Sequence, residues 1–251
     1  MEFRIADTFT DSLAKLTGDE QKAVKTTAFD LQMNPASPGL SFHKLDKAKD
    51  KNFWSVRVSS DIRLIVHKTS TSLLLCFVGH HDKAYDWAER RKLETHPKTG
   101  AAQLVEIRER VEEIIVPRYV EVEQPRPPKP PLFEHLQDND LLGYGVPIEW
   151  LKDAWQANED SVLDLASHLP AEAAEALLTI ATGGMLKSAA TVLPAAPEGV
   201  LERAKFAPVA ALKFPHKSDP FSHPDAQRRF RLINNAEELE RAFDYCIRLQ
   251  L

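Results

Sequence analysis

The sequence predicts an α+β chain in which a sheet-containing N-terminal domain precedes a smaller helical module. Residues 1–92 pass from strand-like to helix-like patterns and then to four consecutive strand candidates, which is typical of the α+β class. Residues 117–131 hold six of the chain's 17 prolines, a composition that favours a stiff, extended spacer. Residues 132–184 show helical patterns alone, so we expect a small all-α module after the spacer.

The first elements are predicted to be one strand and a helix pair. Apolar residues alternate over 3–9, which indicates a short strand, and residues 9–17 follow as a first helix. Asp19 is placed to cap a second helix, whose apolar positions recur at helical spacing. That helix should end near Asn34, because a residue that precedes a proline such as Pro35 disfavours helical backbone angles.

Four strands and a closing helix complete the predicted N-terminal domain. Ser60 and Asp61 form a turn short enough for a hairpin, and the continuous apolar run Leu73–Val78 predicts the central, doubly buried strand. Asp82–Lys92 returns to a helical pattern. The predicted strands are Ser41–Leu45, Phe53–Ser59, Ile62–Thr69 and Ser72–His80, and the predicted core residues are Phe3, Leu31, Leu45, Val56, Ile65, Leu74 and Phe77.

The rest of the chain divides into linkers and helices. Ala101–Ile115 has an amphipathic pattern and is predicted to be a helix. Asp225–Arg231 and Ala236–Arg248 have helical patterns near the C-terminus. We therefore predict a domain at 1–95, an amphipathic helix and proline-rich linker at 96–131, a helical module at 132–184, an Ala/Pro-rich linker at 185–218 and a C-terminal helical segment at 219–251.

Composition limits the classes of function. The net charge of −5 combines +3 in residues 1–100 with −8 in the remainder, so a phosphate site requires local clustering of cations. Neither a signal peptide nor a run of about 18 apolar residues occurs, and the two cysteines are too few for a disulfide framework. We expect a cytoplasmic protein with no membrane contact, no cofactor and no metal, since the adjacent His80 and His81 lack ligand spacing.

Four separated motifs carry a family resemblance. They are Leu40-Ser-Phe-His-Lys-Leu, the strand Phe53-Trp-Ser-Val-Arg-Val, the strand Ile62-Arg-Leu-Ile-Val-His and the closing Val78-Gly-His-His-Asp-Lys-Ala-Tyr. In order and spacing they resemble the RelE/ParE toxin superfamily over about residues 2–92. The resemblance implies a helix pair packed on a small, mainly antiparallel sheet.

A second resemblance covers the whole arrangement. Some UvrD-type superfamily 1 DNA helicases carry a similar toxin-like domain as an N-terminal extension. A proline-rich spacer follows it there, then segments similar to residues 141–150 and 223–245 of this chain. The motor itself is absent here, because no Walker A pattern occurs and Gly183-Gly-Met-Leu-Lys-Ser lacks its spacing. The chain is therefore expected to be a fragment, a truncated product or a stand-alone relative.

The first resemblance also implies candidate site residues. RelE-type toxins cut mRNA on the ribosome by activating a 2′-hydroxyl against the adjacent phosphate. That reaction needs cations to stabilise charge developing at the phosphate, and a proton acceptor and donor. The implied catalytic residues are Arg63, His81 and Tyr85, and the implied nucleic-acid-binding residues are Lys44, Arg57 and His80.

Each candidate also has a structural interpretation. Arg57 and Arg63 could pair with Asp61, Asp82 or Asp86. One of the two histidines could be exposed while the other caps a helix, Tyr85 could pack on the sheet, and the lysine run from Lys44 to Lys51 could be a solvated loop. ParE-type members inhibit gyrase without a nuclease site, so the fold does not fix the activity. Two hypotheses follow: an mRNA endonuclease of a toxin–antitoxin pair, or a catalytically idle docking module of a helicase system. The partners implied are mRNA on the ribosome or DNA, or a protein such as an antitoxin or a helicase motor.

Overall fold

The computed structural model of the protein describes residues 1–35, 40–107, 129–184 and 219–248. Within them the chain is α+β, which confirms the predicted class. In chain order the elements are β1 Glu2–Ala6, α1 Asp7–Leu13, α2 Gly18–Met33, β2 Phe42–Lys44, β3 Phe53–Arg57, β4 Ile62–Lys68, β5 Ser72–His80, α3 His81–Glu89, β6 Arg91–Thr95, β7 Ala102–Glu106, α4 Asp138–Gly143, α5 Leu151–Gln156, α6 Val162–His168, α7 Ala171–Ala181, α8 Pro224–Arg229, β8 Phe230–Leu232 and α9 Ala236–Arg248.

A mixed sheet forms the centre of the molecule. Its strand order is β2-β3-β4-β5-β1-β8, with β1 parallel to β5 and every other pair antiparallel. The apolar strand β5 is interior, as predicted. Cys76 is an extra residue in β5, because Ile65 pairs with Phe77 whereas the next residue, Val66, pairs with Leu75. This β-bulge turns the side chains of both Cys76 and Phe77 toward α3.

Two apolar cores cover the two faces of this sheet. On one face, α1, α2 and α9 pack against residues such as Val56, Leu64 and Leu75. On the other face, α3 and the strands β6 and β7 pack against Phe53 and Ile65. The predicted core residues are buried except Phe77, which is half-buried against Trp87.

The helix pair is present, but its predicted bounds need correction. The strand predicted over residues 3–9 is Glu2–Ala6, and the helix predicted over residues 9–17 is Asp7–Leu13. The N-cap of α2 is Thr17 rather than the predicted Asp19. The Glu20 carboxylate accepts hydrogen bonds from both the backbone N–H and the hydroxyl of Thr17, at 2.9 and 2.8 Å. These contacts belong to a capping box that supplies partners for the free N–H groups at the start of the helix.

Two predicted helices are wrong in part. The helix predicted over Asp82–Lys92 ends at Glu89, and residues 91–95 form β6. The helix predicted from Ala101 is instead β7 over residues 102–106, which pairs with β6. Gly100 adopts a φ of +75° in the connecting turn, a backbone conformation that glycine accepts without strain. Residues 108–115 of that predicted helix lie outside the described residues, as do most of the proline-rich spacer and the linker at 185–218.

The C-terminal segment belongs to the same fold as the N-terminal domain. Predicted as helical, it also contributes β8, which pairs with the free edge of β1. The side chains of Ile233, Leu239 and Phe243 enter the core formed by α1 and α2, and Phe243 meets the ring of Phe9 edge to face at 6.0 Å. The sheet and its core are therefore completed by residues more than 130 positions downstream of β5.

The helical module agrees with the prediction, since α4 to α7 fall where the patterns indicated. Its core is centred on Phe133, Leu141 and Trp150 and includes Val105 of β7. At the junction with the C-terminal segment, Glu172 and Arg229 form a nearly buried ion pair with Oε2 and Nε 3.1 Å apart. None of the described helices is long and apolar enough to cross a membrane.

Candidate nucleic-acid interface

Arg57 and Arg63 lie directly opposite each other where β3 turns into β4. The register pairs Arg57 with Arg63, and Arg63 in turn with Gly79 of β5, so the three positions form one row across the sheet. Side chains alternate between the faces of a sheet, so both arginines are on the face that α3 covers. We call these two side chains the arginine row.

The hydrogen bonds of the arginine row go to backbone carbonyl groups of the turn. Arg57 Nε donates to the carbonyl of Ser59 at 3.1 Å, and Arg63 donates to the carbonyls of Ser59 and Ser60 at 3.1 and 3.3 Å. The alternative ion pairs with Asp61, Asp82 or Asp86 are not formed, and no carboxylate in the described part of the chain lies within 4 Å of either guanidinium. Two positive charges are thus fixed side by side without direct neutralisation.

His80 is engaged by acidic neighbours. Its Nδ1 is hydrogen-bonded to the Asp61 carboxylate, and its Nε2 lies 3.9 Å from Glu20 Oε1. The hydrogen bond from His80 holds the pKa of Asp61 below its usual value, and the charge of Arg63 acts in the same direction. His80 is also the N-cap residue of α3, although its side chain does not cap the helix. The His80 side chain is thus held by Asp61 and Glu20 and not by the helix cap that was its structural alternative, and two acidic neighbours disfavour the predicted contact with a phosphate.

His81 and Tyr85 form a stacked pair on the first turns of α3. Their ring centroids are 4.4 Å apart with an angle of 24° between the planes. His81 Nδ1 is hydrogen-bonded to Asp82 at 2.9 Å, and the Tyr85 hydroxyl is 3.1 Å from Ser55 Oγ. Ser55 lies two residues before Arg57 on the same face of β3. The pair is consequently adjacent to the arginine row.

Lys44 lies at the end of β2, away from the arginine row. It pairs with Trp54, and its ammonium is 5.9 Å from the Trp54 ring centroid, on the other face of the sheet from Tyr85. The same residue lines a cavity of about 340 Å³ together with Tyr85, Glu89 and neighbours in the following loop. At the edge of the sheet, Lys44 thus contacts Trp54 on one face and lines a cavity with Tyr85 of the other face.

The structure brings four of the six predicted residues to one end of one face: Arg57, Arg63, His81 and Tyr85. Sequence reasoning missed Ser55 and His43, which pair with each other beside them. Only the register of β2 against β3 places these two residues here, and that register has no local signal. In the described residues, no group of three His, Cys, Asp or Glu side chains could hold a metal ion.

A larger cavity, of about 550 Å³, lies between the β6–β7 hairpin and the helical module, and none of the predicted residues lines it. Glu106 at its wall is paired with Arg91 at 2.5 Å and lies 3.5 Å from His168 Nδ1. The imidazole of His168 stacks on Trp150, whose indole N–H donates to the Glu106 carbonyl at 2.9 Å. These contacts connect the hairpin to the module, so we assign them a structural role.

One solved structure is similar to this chain. It is the RelB–RelE antitoxin–toxin complex from Methanococcus jannaschii, in which the matching chain is 19% identical. The match covers 33% of this chain and 95% of that chain, at a TM-score of 0.29. No family model and no curated protein matches the sequence.

Proposed function

We propose that this protein is a nucleic-acid-associated docking module and that the arginine row is its phosphate contact. The observation that supports the proposal is the pairing of Arg57 with Arg63 across a hairpin without a carboxylate partner in the described residues. Guanidinium groups present several N–H donors in a fixed plane, which matches the oxygens of a phosphate. The turn carbonyl of Ser59 holds both side chains, so less conformational entropy is lost on binding.

Binding of labelled oligonucleotides, followed by fluorescence anisotropy at low salt, tests this proposal. The double variant Arg57→Gln with Arg63→Gln should bind at least about tenfold more weakly than the wild type, because two charged hydrogen bonds are lost. Arg231→Gln is the matched control, since Arg231 is exposed on β8 at the opposite edge of the sheet. Equal losses in the double variant and the control would refute a specific contact at the arginine row.

A second candidate function is cleavage of mRNA, and the geometry of His81 favours it. The contact between His81 Nδ1 and Asp82 leaves Nε2 without a hydrogen-bond partner among the residues that the structure describes. Held in that tautomer, Nε2 can accept the proton of a 2′-hydroxyl as its oxygen bonds to the adjacent phosphorus, while Arg63 stabilises the charge that develops on phosphorus-bound oxygens. The P–O5′ bond then breaks, and the departing 5′-oxygen takes a proton from water. Tyr85, whose hydroxyl contacts Ser55, would position the histidine by stacking.

Expression of the full chain in growing cells separates the two candidates. A nuclease should arrest growth and leave mRNA ends within translated codons, and both effects should be lost in Arg63→Lys, because lysine cannot hold phosphate through two parallel hydrogen bonds. Normal growth with intact mRNA at high expression would exclude nuclease activity and leave the docking module as the candidate function.

The partner that the docking module would serve is a UvrD-type helicase motor. Segments similar to residues 141–150 and 223–245 accompany the toxin-like domain in UvrD-type helicases, which supports a docking or regulatory role in such a system. A purified UvrD-type motor should then unwind DNA at a different rate when this chain is added. An unchanged rate and no co-purification would contradict the helicase partner while leaving nucleic-acid binding untouched. An antitoxin partner belongs instead with the nuclease candidate.

A further inference from the structure

Two aromatic rings and two lysines form a cluster on the opposite face of the sheet from the arginine row. Phe42 on β2 and Trp54 on β3 meet edge to face, with ring centroids 6.5 Å apart. Lys68 on β4 extends over both rings, with its ammonium 4.1 Å from the Phe42 centroid and 5.8 Å from that of Trp54. Lys44 on β2 has its ammonium 5.9 Å from the Trp54 centroid. We call these four side chains the aromatic–lysine platform.

Strand register explains why these side chains share one face. Lys44 pairs with Trp54, and Trp54 pairs with Val66, so these three residues form a single row across β2, β3 and β4. Phe42 and Lys68 each lie two residues from that row along their own strands and therefore point to the same side. Because β2 is the first strand in the sheet order, the platform lies at an edge of the sheet.

The platform carries positive charge that the described residues do not neutralise. No carboxylate in the described ranges lies within 4 Å of the ammonium group of Lys44 or Lys68. Both rings are half-buried, so each keeps part of its surface in contact with solvent. Aromatic surface beside free cations is the combination that binds single-stranded nucleic acid, where bases stack on rings and phosphates lie against the cations.

Lys44 and Tyr85 bring the platform and the arginine row close together around the edge of the sheet. Lys44 lines the cavity that also contains Tyr85, and Tyr85 contacts Ser55 next to the arginine row. Along β3 the distance from Trp54 to Arg57 is about 10 Å, at about 3.3 Å per residue. A flexible single strand can follow this path over the edge of β2, whereas a stiff duplex can contact only one side of it.

We infer that the protein prefers single-stranded nucleic acid, with bases stacked on Phe42 and Trp54 and phosphates held by Lys44 and Lys68. This inference depends on the proposed function, because it specifies which nucleic acid the module binds. On binding, the ammonium of Lys68 moves from the ring faces to a phosphate and leaves the rings to the bases. The half-exposed rings thereby exchange an intramolecular cation–π contact for stacking.

The test compares a single-stranded oligonucleotide of about 15 nucleotides, a length within the usual site size, with the duplex of the same sequence. The full chain should bind the single strand at least about tenfold more tightly than the duplex. Lys44→Gln with Lys68→Gln should weaken binding of the single strand and leave duplex binding nearly unchanged. Trp54→Leu should reduce single-strand affinity about tenfold, which corresponds to the loss of about one stacked base.

Two controls keep the test interpretable. Trp155→Leu with Lys152→Gln removes a half-buried tryptophan and an exposed lysine from α5, in a different core, and should leave affinity unchanged. Because Trp54 also packs against the core of the α1–α2 face, each variant is checked by thermal unfolding. The lysine variant alone decides the result if Trp54→Leu fails to fold.

Four results would overturn the inference, and they separate its failure from that of the proposed function. Equal affinity for single strand and duplex would exclude the platform as a binding site, and so would a lysine variant with unchanged affinity for the single strand. Either result would leave the arginine row as the nucleic-acid contact. Competition by polyglutamate as effective as by the oligonucleotide would point to an acidic protein partner instead. No binding of either nucleic acid by the wild type would remove both the inference and the proposed function.

Discussion

Asp50 offers a sharp test of how the β2–β3 loop is held. Its carboxylate lies 3.4 Å from His67 Nε2 and accepts hydrogen bonds from the backbone N–H groups of Leu93 and Asn52, both at 3.0 Å. Burial disfavours the ionised form, but these hydrogen bonds outweigh it and lower the pKa from 3.8 to about 2. The carboxylate thus fastens the loop to β4 and β6.

The magnitude follows from this shift. A difference of nearly two pKa units corresponds to about 2 kcal/mol of folding free energy. Because the pKa of the folded state is depressed, this stabilisation is fully present above about pH 4 and is lost as the pH falls toward 2. Asp50→Asn should therefore lower the free energy of unfolding by about 2 kcal/mol at neutral pH and by much less near pH 2.

Urea unfolding followed by circular dichroism, repeated across this pH range, measures the effect. Asp46→Asn is the matched control, because Asp46 lies in the same loop with an exposed side chain. Its stability should stay within about 0.5 kcal/mol of the wild type, as is usual for a surface substitution. A loss in Asp50→Asn that stays constant from pH 7 to pH 2 would refute the reasoning, because the effect would then not come from ionisation.

Three further predictions concern the cores and the junction. Phe243→Ala should destabilise the protein by about 3–5 kcal/mol in urea unfolding, because its ring is buried against Phe9. A loss below about 1 kcal/mol would show that the C-terminal segment does not pack on the core of the sheet. Leu74→Ala should cost about 2–5 kcal/mol if β5 is the central strand, and a small loss would contradict that position. Glu172→Gln should cost about 3–5 kcal/mol by leaving the Arg229 charge buried and unpaired, and adding Arg229→Met should recover most of it; no recovery would mean that the pair is not the cause.

The sequence predicted the elements whose signals are local. The apolar run Leu73–Val78 indicated an interior strand, and the short turn at Ser60-Asp61 indicated that Arg57 and Arg63 lie on adjacent strands of a hairpin. The observed turn is one residue longer, with the Val58 N–H donating to the Ile62 carbonyl, and this register sets Arg57 directly opposite Arg63. The helical module was predicted for the same reason, since its apolar spacing, its prolines and its glycines indicate where helices begin or end within a few residues. Gly145, for example, ends the α4 turn with a φ of +83°.

Elements that depend on distant partners were missed. Residues 102–106 fit a helical pattern as well as a strand, and pairing with β6 decides in favour of the strand. The three residues of β8 carry no local signal and form a strand because β1 presents a free edge. At the site, Ser55 and His43 were missed for the same reason, because only strand pairing places them there. The sequence also could not show that Arg57 and Arg63 donate to backbone carbonyls instead of pairing with nearby carboxylates. The predicted boundary at residue 95 stays a prediction, although the packing of Phe243 favours a unit that includes residues 219–248.

The central claim is that Arg57 and Arg63 contact phosphate, and the salt dependence of binding tests it most directly. Each phosphate contact to a single strand adds about 0.7 to the slope of log affinity against log salt concentration. The slope for Arg57→Gln with Arg63→Gln should therefore be smaller than that of the wild type by about 1.4, while Arg231→Gln keeps the wild-type slope. A double variant that binds more weakly but keeps the full slope would contradict the account, because Arg57 and Arg63 of the wild type would then not be neutralising phosphates.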